Sequence, residues 1–418
     1  MRYNNDLPKG WKYYSLKELG EIARGKSKHR PRNAKFLYGG SYPFIQTGDV
    51  KASGGRITTY SQTYSEEGLK QSRMWPKGTM CITIAANIAE TGILQFDSCF
   101  PDSVVGFIAN PEKCLVEFVE YYFRLIRNSV QQMSSQTAQE NINLKTLDRI
   151  RIATPPIEVQ KKIVSILSAY DDKIENSICI IKNLEEQASI LFNHWFVDYE
   201  FPNSQGKSYK SQNGKFDNDL PVDWNITNLS EIADINMGQS PPSSTYNKTG
   251  EGLPFYQGVV DFGLRYPEIS TYCSKPKKIA ELDDILLSVR APVGELNRAS
   301  IQCCIGRGVA AIRHKNGYNS FLFYALQKNC YALHAAKNGS IFDAINKQVL
   351  LDMKIVLPPE KIVEKFEEIV KPMDEMILKK TQEIKVLKEM RDLLLLLLMS
   401  GKINAYDIKA EREVEICY

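Results

Sequence analysis

Gly20, Gly25, Lys26 and Ser27 stand at the spacing G-x-x-x-x-G-K-[ST], which in a nucleotide-binding loop brings a lysine and a hydroxyl to phosphate. That chemistry needs a buried strand before the loop and a helix after it, whose first N–H groups cradle the anion. Here Leu16 to Ala23 reads as a short helix or turn, and Pro31 soon follows. A matching stretch later in the chain, Asp234 to Ser240, has no lysine. The match reads as coincidence.

The same residues suit a different chemistry. Arg24, Lys26, Lys28, Arg30, Arg32 and Lys35 form a basic run without an acid among them. Taken alone, such a run is a solvated loop. Cations on a loop also bind phosphates, while Gln, Asn and Arg read base edges. Gln46-Thr47-Gly48-Asp49 and Tyr256-Gln257-Gly258 combine amides with turn glycines, and Arg56, Gln239, Arg290 and Arg307 complete the candidate DNA-binding set. For Arg290 and Arg307, which follow strands, a surface ion pair is the competing reading.

No catalytic constellation emerges. There is no H-E-x-x-H, and four scattered histidines with nine cysteines lacking any C-x-x-C pair give no metal site. Asp171-Asp172-Lys173 has the look of a nuclease's acidic pair, but it falls within a long helix, where a solvated face accounts for it. The Pro-Pro pairs lack the flanking residues an amino-methyltransferase needs. Unpaired cysteines point to a reducing cytoplasm. The longest apolar run, Leu393 to Met399, is too short to cross a bilayer, and the start of the chain has no signal-like apolar stretch. A net charge of +4 leaves any nucleic-acid role to local clustering.

What must hold these residues is a repeat. At 418 residues the chain exceeds one core. Leu7-Pro8-x-x-Trp11 returns as Leu220-Pro221-x-x-Trp224, 213 positions on, and Pro43-Phe44-x-Gln46 as Pro254-Phe255-x-Gln257 at an offset of 211. From Phe118 onward the offset is 203. The scaffold is therefore duplicated and the intervening loops differ, which is where binding residues sit on a rigid frame. Apolar runs at Met80–Ile84, Val104–Ile108, Ile285–Val289 and Val309–Ile312 predict strands, and short helices are expected near 117–127 and 321–327.

Steps of four and three from Ile163 pass through Leu167, Tyr170, Ile174, Ser177, Ile181, Leu184, Ala188, Leu191 and Trp195. Adding 203 gives Phe366, Val370, Met373, Ile377, Lys380, Ile384, Leu387, Arg391, Leu394 and Leu398. Two heptad seams in one register predict two long helices that bury their stripes on each other. Pro372 lies inside the second and predicts a kink.

These phrases resemble the specificity subunit of type I restriction–modification systems. The resemblance rests on Leu220-Pro221-x-x-Trp224 with Leu229-x-Glu231-Ile232, on Asp284 to Arg290, and on Ile305-Gly306-Arg307-Gly308. Leu357-Pro358-Pro359 and Leu191-Phe192-x-x-Trp195-Phe196 add to it. The first half departs from the pattern, with Thr83-Ile84-Ala85 for Ser288-Val289-Arg290 and Val105-Gly106-Phe107 in place of the Gly306-Arg307-Gly308 signature.

The resemblance implies an α+β chain: two tandem target-recognition domains, with mixed or antiparallel short-stranded sheets and helices, separated by an antiparallel coiled coil of two long helices, a pseudo-two-fold repeat. Expected bounds are 1–156 and 220–357 for the recognition domains, 157–197 and 358–400 for the helices, 198–219 for a linker and 401–418 for a charged tail. The implied role is a non-catalytic, cytoplasmic DNA reader, each domain binding half of a bipartite asymmetric site. Two methyltransferase and two motor–nuclease subunits would be its partners. S-adenosylmethionine, ATP and Mg would sit on those partners, and no cofactor on this chain. The competing reading is a coiled-coil scaffold carrying two protein- or glycan-binding modules, which leaves the basic run unexplained.

Overall fold

The computed structural model describes residues 7–135, 142–336 and 344–408. The chain forms two compact units, Met1–Asp172 with Leu387–Tyr418, and Lys173–Val386. Four helices matter for function: α1 (Val116–Ser135), α2 (Ile157–Phe196), α3 (Asn319–Ala336) and α4 (Glu360–Met399). The long pair α2 and α4 is not a separate body, because each compact unit contains a part of both. Among the described residues no helix is long and apolar enough to cross a membrane.

The first unit carries strands β1 (Gly20–Arg24), β2 (Tyr38–Phe44), β3 (Arg56–Ile57), β4 (Gln62–Tyr64), β5 (Met74–Trp75), β6 (Met80–Thr83), β7 (Thr91–Leu94), β8 (Ser98–Cys99) and β9 (Val104–Ala109). One sheet has the order β1-β9-β6-β7-β3 and a second the order β4-β2-β8-β5. Pairing is antiparallel except for β2 with β8 and β3 with β7. The central strands read as unbroken apolar runs because both their faces are buried, and alternate side chains enter different cores. Met80, Ile82, Val105 and Phe107 pack under Phe118 and Phe123 of α1. Cys81 and Val104 point the other way, toward Trp75 and Phe100.

The second unit repeats this plan with β10 (Ala233–Met237), β11 (Tyr246–Asn247), β12 (Leu253–Tyr256), β13 (Tyr272–Cys273), β14 (Ile279–Ala280), β15 (Ile285–Ser288), β16 (Leu296–Arg298), β17 (Cys303–Ile305) and β18 (Val309–His314). The sheets are ordered β10-β18-β15-β16 and β11-β13-β12-β17-β14. Ile285, Leu287, Ala310 and Ile312 face α3, and Leu286, Val309 and Ala311 face the second core.

Within each unit the long helices run antiparallel. Ile163 and Leu167 share the first unit's core with Leu394 and Leu398, so the start of α2 meets the end of α4. In the second unit Ala188, Leu191 and Trp195 share a core with Phe366 and Val370, the end of α2 against the start of α4. Ile174, Ile181, Ile377 and Ile384 are buried, while Tyr170, Leu184 and Leu387 are half-buried. The polar steps of the seams are all occupied: Ser177 donates to Glu383 (3.4 Å), Lys380 pairs with Glu383 (2.6 Å) and Arg391 with Asp171 (2.8 Å). Pro372 does not interrupt α4.

One expectation is corrected. The 198–219 stretch, polar enough to read as a linker, is folded onto the second unit. Buried Phe201 stacks on Tyr209 (4.5 Å) and packs against Trp224 (5.1 Å), and Phe216–Asp217 pairs with Leu220–Pro221. Four aromatics, Tyr199, Phe201, Tyr209 and Phe216, spread through a Ser/Asn/Lys background supply the apolar surface that the average composition hides. At the other end, Ala405 of the charged tail is buried in the first unit's core, with Ile403 and Ile408 packed against it.

Candidate nucleic-acid interface

In the second unit, the turn joining β17 to β18 draws three chain segments together. The Gly306 N–H donates to the Tyr256 carbonyl (2.9 Å) and the Val309 N–H closes the turn on Gly306 (3.0 Å). The Arg307 N–H donates to Ser240 Oγ (3.2 Å), and the Gln239 N–H to the Ile305 carbonyl (3.0 Å). Glycine is required for this crossing. A Cβ on Gly308 would lie 2.3 Å from the Gln257 carbonyl oxygen, and one on Gly238 2.2 Å from that of Gly306. Gln239, Gln257 and Arg307 therefore leave the backbone around one turn, and all three are exposed. Exposed Arg290 adjoins it, following Val289, whose N–H donates to Gly308 (2.9 Å). The set offers amides and guanidinium groups, the chemistry that base edges and phosphates take.

Reading along the strands missed a further group. Lys275, Lys277 and Lys278 are exposed on the segment entering β14, and the Lys278 carbonyl accepts from the Ile305 N–H (3.0 Å), so this segment borders the same turn. Three lysines in four residues with no acid were the available signal.

The first unit builds the same crossing. The Gly25 N–H donates to Val104 (2.9 Å), that of Lys26 to Phe100 (3.1 Å), and that of Val104 to Pro101 (3.0 Å). Matching these bonds to those of the second unit sets Lys26 at the step of Gln239 and Asp102 at the step of Arg307. The turn therefore carries a carboxylate, and the cations come from the basic segment. Arg24, Lys26, Lys28, Arg30, Arg32 and Lys35 are all exposed. Arg32 Nη2 donates to both Asp102 oxygens (2.8 Å each), and Arg30 Nη1 donates to the carbonyls of Ser27 (2.7 Å) and His29 (2.8 Å). Arg24, Lys26 and Lys28 have no ion pair among the described residues. Half-buried Gln46 donates to Gln62 (2.6 Å), and Thr47 opens a short helix behind it.

Three sequence readings need correction. Tyr256 is 1% exposed, packed with Ala280, Leu286 and Ile305, and burial pushes its phenol well above the usual value; it supports the turn and does not face solvent. Arg56 is turned toward Asp172 of α2 (2.5 Å) and is not a free cation. Asp171 is buried at the centre of an ion-pair cluster, not part of a solvated face; Asp172 beside it is exposed. As for the Gly20–Ser27 match, its first half is the edge strand β1, and Lys26 and Ser27 lead into coil, so the helix that the motif needs does not follow them. Among the described residues no group of three or more His, Cys, Asp or Glu is arranged to hold a metal.

Comparison with known proteins gives consistent matches. The model of the type I restriction modification DNA specificity domain matches residues 8–186 and again 221–389. A Methanocaldococcus jannaschii protein described as a type I restriction enzyme MjaX specificity subunit is 30% identical over 415 residues, which cover 96% of this chain and 95% of that protein. The HindI specificity subunit of Haemophilus influenzae is 23% identical over 468 residues, 94% of this chain and 99% of that one. In fold, the chain is similar to the crystal structure of a type I restriction-modification system S subunit from M. genitalium, with a TM-score of 0.56 at 16% identity over 95% of this chain and 98% of that one.

Proposed function

The chain belongs to the type I restriction–modification DNA specificity family, and on that footing we propose that it is the non-catalytic reader of a type I complex. Each recognition domain binds one half of a bipartite, asymmetric DNA site through its turn and the cations beside it. The antiparallel helices set the spacer and dock two methyltransferase subunits, and two motor–nuclease subunits complete the assembly in the cytoplasm. S-adenosylmethionine, ATP and Mg act on those partners.

The observation that carries this reading is the duplicated turn, built from the same backbone bonds in both units but presenting different side chains. A repeated frame with divergent tips is what an asymmetric split site requires, since two unlike half-sequences meet two like scaffolds. A scaffold of protein- or glycan-binding modules leaves the cations clustered at both turns unexplained. The test is a map of methylated adenines in cells carrying the complete system. One bipartite motif with a fixed spacer is expected, lost when this chain is deleted. A continuous motif, or methylation that persists without the chain, would sink the proposal. The isolated chain should neither methylate nor cut DNA.

A further inference from the structure

Asp171 and Asp374 stand at the same step of the repeat, one on each long helix, and are 5% and 4% exposed. A carboxylate taken out of water at this depth is costly unless its oxygens are fully engaged. Both are. Asp374 accepts from Arg265 Nη2 (2.8 Å), Ser320 Oγ (2.7 Å) and Arg298 Nη1. Asp171 accepts from Tyr121 Oη (2.7 Å), Arg124 Nη1 (3.1 Å) and Arg391 Nη1 (2.8 Å). Each cluster runs from a long helix to the same strand of its recognition domain. In the second unit Arg298 lies on β16. In the first, Arg124 pairs with Glu120 (2.7 Å), which accepts from Thr91 Oγ1 of β7 (3.0 Å).

Each aspartate meets two guanidinium groups, and apart from Arg298 in the second unit and Arg391 in the first, the units obtain the other differently. In the second it comes from the recognition domain's loop, where the Arg265 carbonyl accepts from the Arg298 N–H (2.9 Å). In the first, the residue making the same backbone bond is Gly55, to Ile93 (2.8 Å), and the guanidinium comes from Arg124 of α1. The α3 counterpart of Arg124 is Gln327. The exchange is spatial as well as formal. A Cβ on Gly55 would lie 1.9 Å from Arg124 Nη2, so the helix arginine fills the room that a loop side chain takes in the other unit. A hydrophobic residue at either aspartate's step would bury at less cost. The same charged fastening, built twice from different donors, points to a function of the fastening itself.

We infer that Asp171 and Asp374 are positioning residues that hold each recognition domain at one angle on its stretch of the helices, and so fix the spacer that the complex accepts. This rests on the function proposed above. The reading turns belong to the sheets that the clusters grip, so loosening a cluster frees the turn's placement without altering its base contacts.

The experiment uses the assembled methyltransferase complex and DNAs with identical half-sites and spacers lengthened or shortened by one or two base pairs. The wild type should prefer one spacer by at least about tenfold. Arg265→Gly should reduce that preference to within about threefold while leaving discrimination between right and wrong half-sites unchanged. Adding Gln327→Arg supplies a helix guanidinium at the step of Arg124, beside the retained Arg298, and should restore the preference. Asp374→Asn should behave like Arg265→Gly. Where a single variant does not assemble, the double variant Arg265→Gly with Gln327→Arg decides alone, and a spacer preference at the wild-type level supports the inference. Folded single variants with unchanged spacer preference, or a double variant that stays permissive, would overturn it. A wild-type complex indifferent to the spacer would overturn the proposed function instead.

Discussion

Arg307 and Asp102 occupy one step of the repeat with opposite charge, so the two turns would meet a phosphate differently. Arg307 has no ion pair among the described residues, and its full charge is available to DNA. Arg307→Ala should weaken binding and lower the salt slope by about one, the value of one lost phosphate contact. Arg32 is already matched by Asp102, so Arg32→Ala should change the slope by less. Salt titrations of the complex on its own site check both, and equal effects would show that the Arg32–Asp102 pair opens on binding. A second residue-scale property concerns pH. Burial pushes His314 down to about 4, opposed by the Glu360 charge, and its Nδ1 accepts from the Asn316 N–H (3.1 Å), as only a neutral ring can. The unfolded imidazole binds a proton below its ordinary 6.5 while the folded one resists until about 4. This contribution to stability is therefore present above 6.5 and declines as pH falls toward 4. His314→Gln should flatten that part of the stability curve, measured by urea unfolding between pH 7 and 5.

At the scale of elements, the aromatic cluster between the long helices and α3 contributes most visibly to the second unit. Phe366 is fully buried and meets Phe192 (5.9 Å), Trp195 (6.1 Å), Phe196 (5.1 Å) and Tyr324 (6.4 Å). Phe366→Ala should cost about 3–5 kcal/mol, the range for truncating a buried aromatic. Hydrogen exchange should rise in α3 and the start of α4 while α1 keeps its protection, and uniform loss across both units would contradict it. The helices and central strands were legible because their signals are long or uniform: ten seam steps in register, and apolar runs buried on both faces. The second sheets were not, since strands such as Met74–Trp75 and Ser98–Cys99 span two residues and leave no periodicity to read. Asp171 and Tyr256 were misread for a related reason. A charged residue on a helix defaults to solvent, and a tyrosine beside Gln257 defaults to a contact, until packing assigns them otherwise.

For the whole molecule, the drift of the repeat now has a physical location. The offset is 213 from β1 to its counterpart β10, 205 through the paired core strands and 203 along the helices, so the units differ in the loops and second sheets while keeping the sheet-and-helix frame. If the divergent parts read bases and the helices measure distance, the two functions should be separately mutable. Ser177 and Lys380 offer the place to test this, because both side chains reach Glu383 and thus lie at one level of the antiparallel pair. Inserting one heptad after each keeps both seams in register. At ~1.5 Å per residue the pair lengthens by about 10 Å, or about three base pairs of ~3.4 Å. Methylation mapping should then return the same half-sites with a longer spacer. An insertion that altered the half-sites, or left the spacer unchanged in a folded complex, would mean that the helices hold the readers without measuring the distance between them.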